Sequence, residues 1–269
     1  MSKLKKALEK ARLSREGIPP EPAADAEKTA GDEAFLPRVS SEINPIYVHT
    51  KIQHIDYRKL VNQRIISIHH CNAVSDRFKL LRTQVLSLLR ENGSNCILIA
   101  SANRREGRTT TAINMAISMA QQLDNTVLLV DSDFKEPAVH KILGLSAEQG
   151  LSDCLLGKAA VEETLINPGI NRLVVLPGGR PIPNSAEILG APRTETIFRE
   201  LKERYADRYL IFDSPPLLAS ADSLILSEYA DAILLVVEAE RTTTNDLLRM
   251  RDLLGGKPVI GTIFTKVRQ

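Results

Sequence analysis

Six short apolar runs constrain the fold of this chain more than any other feature: CILIAS (96–101), TVLLVD (126–131), LVVLPG (173–178), YLIFDSP (209–215), AILLVVE (232–238) and PVIGTIF (258–264). Nearly all are continuous rather than alternating, the pattern of strands covered on both faces, because a strand with one wet face must alternate. Helix-forming stretches separate them, at about 110–122, 137–143, 185–205, 221–229 and 243–254. An earlier helix is marked by Phe78, Leu81, Val85, Leu88 and Leu89 at helical spacing, with Gly93 as its stop. The rhythm is βαβ. It predicts an α/β fold with a mainly parallel sheet, right-handed crossovers and helices on its faces.

At 269 residues, 43% hydrophobic and 25% charged, the chain can build one core of ordinary size plus an extension. A net charge of +2 is too mild for a phosphate-backbone groove, so no nucleic-acid partner is expected. Cys71, Cys96 and Cys154 have no metal-ligand spacing, and Cys96 falls inside an apolar run, which points to a reducing, cytoplasmic setting. No apolar run approaches the roughly 18–20 residues of a membrane span, and the N-terminus lacks the apolar block of a signal peptide.

Composition divides the chain. Residues 1–16 read as a basic amphipathic helix, with Leu4, Ala7, Leu8 and Ala11 on one face and Lys3, Lys5, Lys6, Lys10 and Arg12 around it. Such a helix suits an anionic membrane surface or a groove on a membrane partner. Residues 17–41, rich in Pro, Ala and acidic side chains, read as a flexible linker, 42–75 as a partly ordered lead-in, and 76–267 as the folded domain.

Ligands of parallel sheets bind beyond the carboxyl ends of the strands. After the first run comes the loop Ala102, Asn103, Arg104, Arg105, Glu106, Gly107, Arg108, Thr109, after the second DSDFKEP, and after the fourth DSPP. The loop has the spacing of G-x-x-x-x-G-K-S/T with arginine in place of lysine. Backbone N–H groups around Gly107 to Thr110, at a helix start, form an anion nest, and the Thr109 hydroxyl can bind Mg²⁺. Asp131 and Asp133, two apart, and Asp213 can hold the metal or its waters and accept a proton from an incoming hydroxyl. Three polar clusters at three strand ends, in this order, point to a polyphosphate and its metal.

EGRTTTAINMA, LLVDSDFKEP, PNSAEILGAPR and LIFDSPPLLASAD together resemble the bacterial tyrosine kinases of capsule and exopolysaccharide export, over residues 74–267. MSKLKKALEKA and LVVLPGGRPIPNSAEILG are most similar to the exosortase-associated (PEP-CTERM) exopolysaccharide tyrosine autokinases. The resemblance implies a doubly wound P-loop fold of the ParA/MinD type, ATP and Mg²⁺ as cofactors, and protein-tyrosine kinase activity at the inner face of the membrane with a polysaccharide co-polymerase as partner. By it, Asn103 to Thr110 bind the nucleotide, Arg108, Asp131, Asp133 and Asp213 carry the catalysis, and Thr109, Asp131 and Asp213 hold the metal. DRFKLLRT resembles the family's oligomerisation helix, which gives Asp76, Lys79 and Arg82 as subunit contacts.

The sequence departs from that family at Arg108 for the loop lysine, Arg104 and Arg105 for a Pro-Gly pair, Lys135 for an arginine, and Thr265 for the asparagine near adenine. The family's C-terminal tyrosine cluster has no counterpart, so Tyr47, Tyr57 or a partner's tyrosine is the expected acceptor. Three readings follow: an autokinase, a nucleotide-binding scaffold of the same fold, and a membrane-cycling ATPase switch.

Overall fold

The computed structural model describes Ile43, Pro45, residues 50–68 and residues 73–267, all within the unit from Ser40 to Gln269. The basic helix over 1–16, the linker over 17–41, Tyr47 and Cys71 lie outside the described residues. The strands are β1 (Lys51–Ile52), β2 (Cys96–Ser101), β3 (Thr126–Asp131), β4 (Ile166–Asn167), β5 (Leu173–Leu176), β6 (Arg208–Asp213), β7 (Ala232–Glu238) and β8 (Val259–Thr265). The helices are α1 (Tyr57–Asn62), α2 (Ala73–Glu91), α3 (Arg108–Ala120), α4 (Val139–Leu143), α5 (Leu151–Leu155), α6 (Val161–Thr164), α7 (Ser185–Leu189), α8 (Pro192–Glu203), α9 (Asp222–Tyr229) and α10 (Thr244–Leu254). Among the described residues no helix is long and apolar enough to cross a membrane.

The described strands form one sheet in the order β1-β4-β5-β3-β6-β2-β7-β8, and only the β4–β5 pair is antiparallel. From β2 the chain crosses to β3 and on to β5, returns to β6 in the place between β3 and β2, and then runs to β7 and β8 on the other side of β2. The sheet is therefore doubly wound, with its direction reversing beside β2, and the crevice for a ligand opens at that strand's carboxyl end.

Strand residues alternate between two cores. Ile97, Ile99, Val127, Leu129 and Ile211 pack with Leu86 and Leu89 of α2 and Ile113 and Ile117 of α3. Leu98, Ala100, Leu128, Val130 and Phe212 pack with Phe198 and Leu201 of α8, Leu226 of α9 and Met250 of α10. Each large apolar side chain buried this way contributes roughly 1.5–3 kcal/mol. β8 is different. As an edge strand it leaves Val259 and Phe264 exposed, although its run is as apolar as the others.

Two features differ from the expected element pattern. The stretch expected as one helix over 185–205 is two, because Gly190 caps α7 and Pro192 at the start of α8 forces Ala191 into extended geometry. The run over 173–178 pairs as a strand only to Leu176, since the carbonyls of Pro177 and Gly178 accept instead from Leu151 and Ser152 at the start of α5.

One side chain of α3 holds the end of the described lead-in, residues 64–67. Asn114 Oδ1 accepts from the N–H groups of Ile66 (2.8 Å) and Ser67 (2.9 Å), while its Nδ2 donates to the carbonyls of Arg64 (3.0 Å) and Thr110 (2.9 Å). An amide offers two donors and one acceptor oxygen, and here all are used. The segment 64–67 is thereby fixed against the helix that begins at the phosphate loop.

Candidate functional site

Strand register assembles the site. Asp131 at the end of β3 lies beside Asp213 at the end of β6, and Asp213 is level with Ile99, so β2 runs two residues further before its loop begins. Gly107 closes that loop with φ 92°, and a Cβ on it would come within 3.3 Å of the Thr265 methyl. Arg105 also has positive φ, 65°. An arginine there keeps a backbone shape that glycine adopts more cheaply, at a cost of roughly 1–2 kcal/mol.

The loop is braced from within and behind. Glu106, fully buried, accepts from the Asn103 N–H (2.9 Å) and the Thr242 hydroxyl (2.7 Å). Its carbonyl accepts from the Thr265 hydroxyl at 2.6 Å, and Lys266 donates to the Arg105 carbonyl at 2.7 Å. Asn103 and Glu106 thus bond to each other and to the frame rather than facing the cavity, and Arg104 pairs outward with Glu136. Arg105, Gly107, Arg108, Thr109 and Thr110 line the open side.

Arg108 turns inward. Its Nε donates to Asp213 Oδ1 (3.1 Å), Nη2 to Asp133 Oδ2 (3.0 Å) and Nη1 to Ser101 Oγ (3.2 Å), with the side chain 9% exposed. The planar fork of arginine spans two carboxylates in a way a lysine ammonium does not. Asp213 Oδ2 is buried without a hydrogen-bond partner. Thr109 approaches the same carboxylate and helps Arg108 hold it anionic, without a well-formed bond to that oxygen. Burial is the stronger influence and pushes the Asp213 carboxyl up from its ordinary range.

Asp131 is engaged by backbone. Its Oδ2 accepts from Ala138 (2.9 Å) and Val139 (3.0 Å), which fixes the chain leaving β3 and the start of α4. Burial, with the charge of Asp213 adding to it, pushes its carboxyl up to about 8. Among the described residues no group of three His, Cys, Asp or Glu side chains is arranged to hold a metal. The donor set that fits Mg²⁺ is therefore smaller: the partnerless oxygen of Asp213, the Thr109 hydroxyl and waters, consistent with a hard cation that keeps much of its hydration.

A cavity of about 830 Å³ lies against the start of α3, between α2 and β8. Its walls combine the N-terminal turn of α3, apolar Phe78, Leu81 and Phe264, and the cations Arg64, Arg77 and Lys266. No carboxylate lines it, because Arg108 stands between the cavity and the aspartates. The volume lies within the range of small-molecule and cofactor sites.

The remaining expected residues are scattered. On α2, Lys79 pairs with Asp76 on its own helix at 2.8 Å, while Arg82 donates to the Ser118 carbonyl of α3 at 2.8 Å. Arg82 thereby joins two helices of the same chain. Tyr57, at the first position of α1, and Tyr205 are exposed, and the guanidinium of Arg208 lies 3.9 Å from the Tyr205 ring centre. Sequence reasoning passed over Asn114 and the bracing role of Glu106. A buried amide four residues after Thr110 on an apolar helix face is the signal that marks the first.

A family described as an AAA domain matches residues 95–254. The tyrosine-protein kinase YwqD of Bacillus subtilis is 33% identical over 180 residues, covering 67% of this chain and 75% of its own. The putative tyrosine-protein kinase CapB of Staphylococcus aureus is 26% identical over 235 residues, covering 86% of this chain and 93% of its own. The kinase domain of the Escherichia coli tyrosine kinase ETK superposes with a TM-score of 0.71 at 24% identity, over 84% of this chain and 91% of that domain, a likeness of fold.

Proposed function

The chain belongs to the bacterial tyrosine-protein kinase family, and from that premise we propose that it binds ATP with Mg²⁺ at the start of α3 and transfers the γ-phosphoryl group to tyrosine. The observation that carries this reading is the open, cation-lined cavity against the first turn of α3, with a buried, partnerless carboxylate oxygen of Asp213 close behind it. The N–H groups from Gly107 to Thr110 and the helix's positive end bind phosphate oxygens. The apolar walls, Phe78, Leu81 and Phe264, suit a base. When bound, Mg²⁺ supplies neutralisation of the phosphoryl charge, and Thr109 and Asp213 are the residues to hold it.

In this reading Arg108 follows the phosphates and leaves the aspartates. Asp133, the less buried of the two carboxylates it holds, then accepts the proton of the tyrosine hydroxyl. The acceptor is Tyr57, Tyr47 or a tyrosine of a partner protein. The setting we infer is exopolysaccharide assembly at the inner face of the cell membrane, with a co-polymerase partner engaged by the basic residues of 1–16. It is supported by the resemblance of LVVLPGGRPIPNSAEILG and by the charge of that segment.

A second reading, a nucleotide-binding scaffold without transfer, is favoured by one observation, the closed bonding of Arg108 to Asp133 and Asp213. Calorimetry with ATP and ADP tests what both share. Binding that Thr109→Ala weakens supports them, and no binding of either nucleotide at millimolar concentration removes both. Phosphotyrosine then separates the two.

A further inference from the structure

At position 108 this chain carries a guanidinium where its motif calls for an ammonium, and the structure shows what that group does without a nucleotide. It bonds Asp213 and Asp133 on two of its nitrogens and Ser101 on the third, and its side chain is 9% exposed. The same residue forms part of the wall of the cavity, whereas neither aspartate does. Arg108 is thus the partition between the phosphate site and the carboxylates. A divalent cation approaching Asp133 or Asp213 meets a positive charge already seated between them, and like charges repel strongly where water is excluded. Without that charge the buried acids must take up another cation or a proton.

Resting on the nucleotide reading above, we propose that Arg108 is an internal counter-cation that closes the Asp133–Asp213 pair to divalent metal until nucleotide phosphates draw its side chain into the cavity. The exchange is balanced. The guanidinium trades two carboxylates for phosphate oxygens, its best alternative partners in bidentate geometry; Asp213, whose Oδ2 has no hydrogen-bond partner, then receives the metal, and Asp133 is left free to accept a proton. Metal and nucleotide binding are then coupled, and linkage requires each to strengthen the other by the same factor. The departure from lysine becomes a device that sets the order of binding.

The test counts free Mn²⁺ by its electron paramagnetic resonance signal in the presence of the full chain. Without nucleotide, the parent should leave the signal undiminished, while Arg108→Gln should reduce it. Adding ADP to the parent should reduce the signal as well, with affinity for Mn²⁺ raised about ten- to hundredfold, within or near the usual span of such couplings. Mn²⁺ should also raise the melting temperature of Arg108→Gln and leave that of the nucleotide-free parent unchanged. If Arg108→Gln does not fold, Arg108→Lys, which keeps a buried charge but cannot span both acids, should show the same gain at smaller size. Mn²⁺ binding by the nucleotide-free parent equal to that of the folded variant overturns the proposal. So does a parent that binds ADP by calorimetry without gaining Mn²⁺. Absence of ADP binding is a different failure: it removes the nucleotide reading, while the nucleotide-free comparison still decides whether Arg108 closes the pair.

Discussion

Arg108 and Asp131 carry the strongest consequences at the scale of single residues. If Arg108 is drawn off only as the phosphates are bound, its misfit falls mainly on alignment of the γ-phosphate. Arg108→Lys should then raise phosphotyrosine formation more than it raises ATP affinity, the mark of an interaction realised in the transition state. An equal change in both would contradict this. Asp131 gives a pH prediction. Its folded carboxyl titrates at about 8 against an ordinary 3.8, so the fold favours its protonated form. That contribution is complete below the unfolded value and is lost as pH rises through the folded one. Denaturant unfolding of the metal-free parent should therefore show stability falling from pH 4 to 8, with a shallower slope in Asp131→Asn. Parallel slopes would refute the assignment. The types and positions of these residues were legible in the sequence, because strand ends and loop spacing name them. Their directions were not: whether Arg108 faces the cavity or the aspartates, and whether Glu106 faces ligand or frame, depends on partners such as Asp133 and Thr242, distant in the chain.

Among the elements, α3 organises the site. Its first turn presents the N–H groups, and its second holds the lead-in through Asn114. Replacing Asn114 with Ala removes four hydrogen bonds and leaves backbone groups of Ile66 and Ser67 unpaired. The expected cost is about 2–4 kcal/mol, at roughly 1 kcal/mol per bond. Hydrogen exchange should speed most over residues 64–67, and an unchanged exchange pattern there would contradict the clamp. Helix α2 gives a second test. With Arg82 bonded to Ser118 of its own chain, a subunit contact on this helix falls to the exposed Asp76 and the half-buried Lys79 paired with it. Charge reversal at Lys79 should lower the mass measured by light scattering in the presence of nucleotide, and a parent that is monomeric under those conditions excludes the contact. The six apolar runs were legible as strands because burial on both faces demands continuity. The short helix α5 was not, since its start is fixed by distant carbonyls at Pro177 and Gly178 rather than by any period of its own. The exposure of β8 was also hidden: composition does not tell an edge strand from a central one.

For the whole molecule, a doubly wound sheet brings three chain segments to one crevice, and Arg108 ties two of the strand-end aspartates to the loop between them. Beyond the described residues, the basic stretch over 1–16 should tether the chain, so deleting it should move the protein from the membrane fraction of cells to the soluble one without changing the melting temperature of the domain. Unchanged fractionation would remove that role. The central claim is phosphoryl transfer to tyrosine, and its direct test is incubation of the full chain with Mg²⁺ and γ-labelled ATP, with and without membranes carrying the partner, followed by phosphoamino-acid analysis. Label on tyrosine is expected in the parent, and more of it in Arg108→Lys. Label released only as free phosphate, or no label on tyrosine in either protein, would contradict that claim.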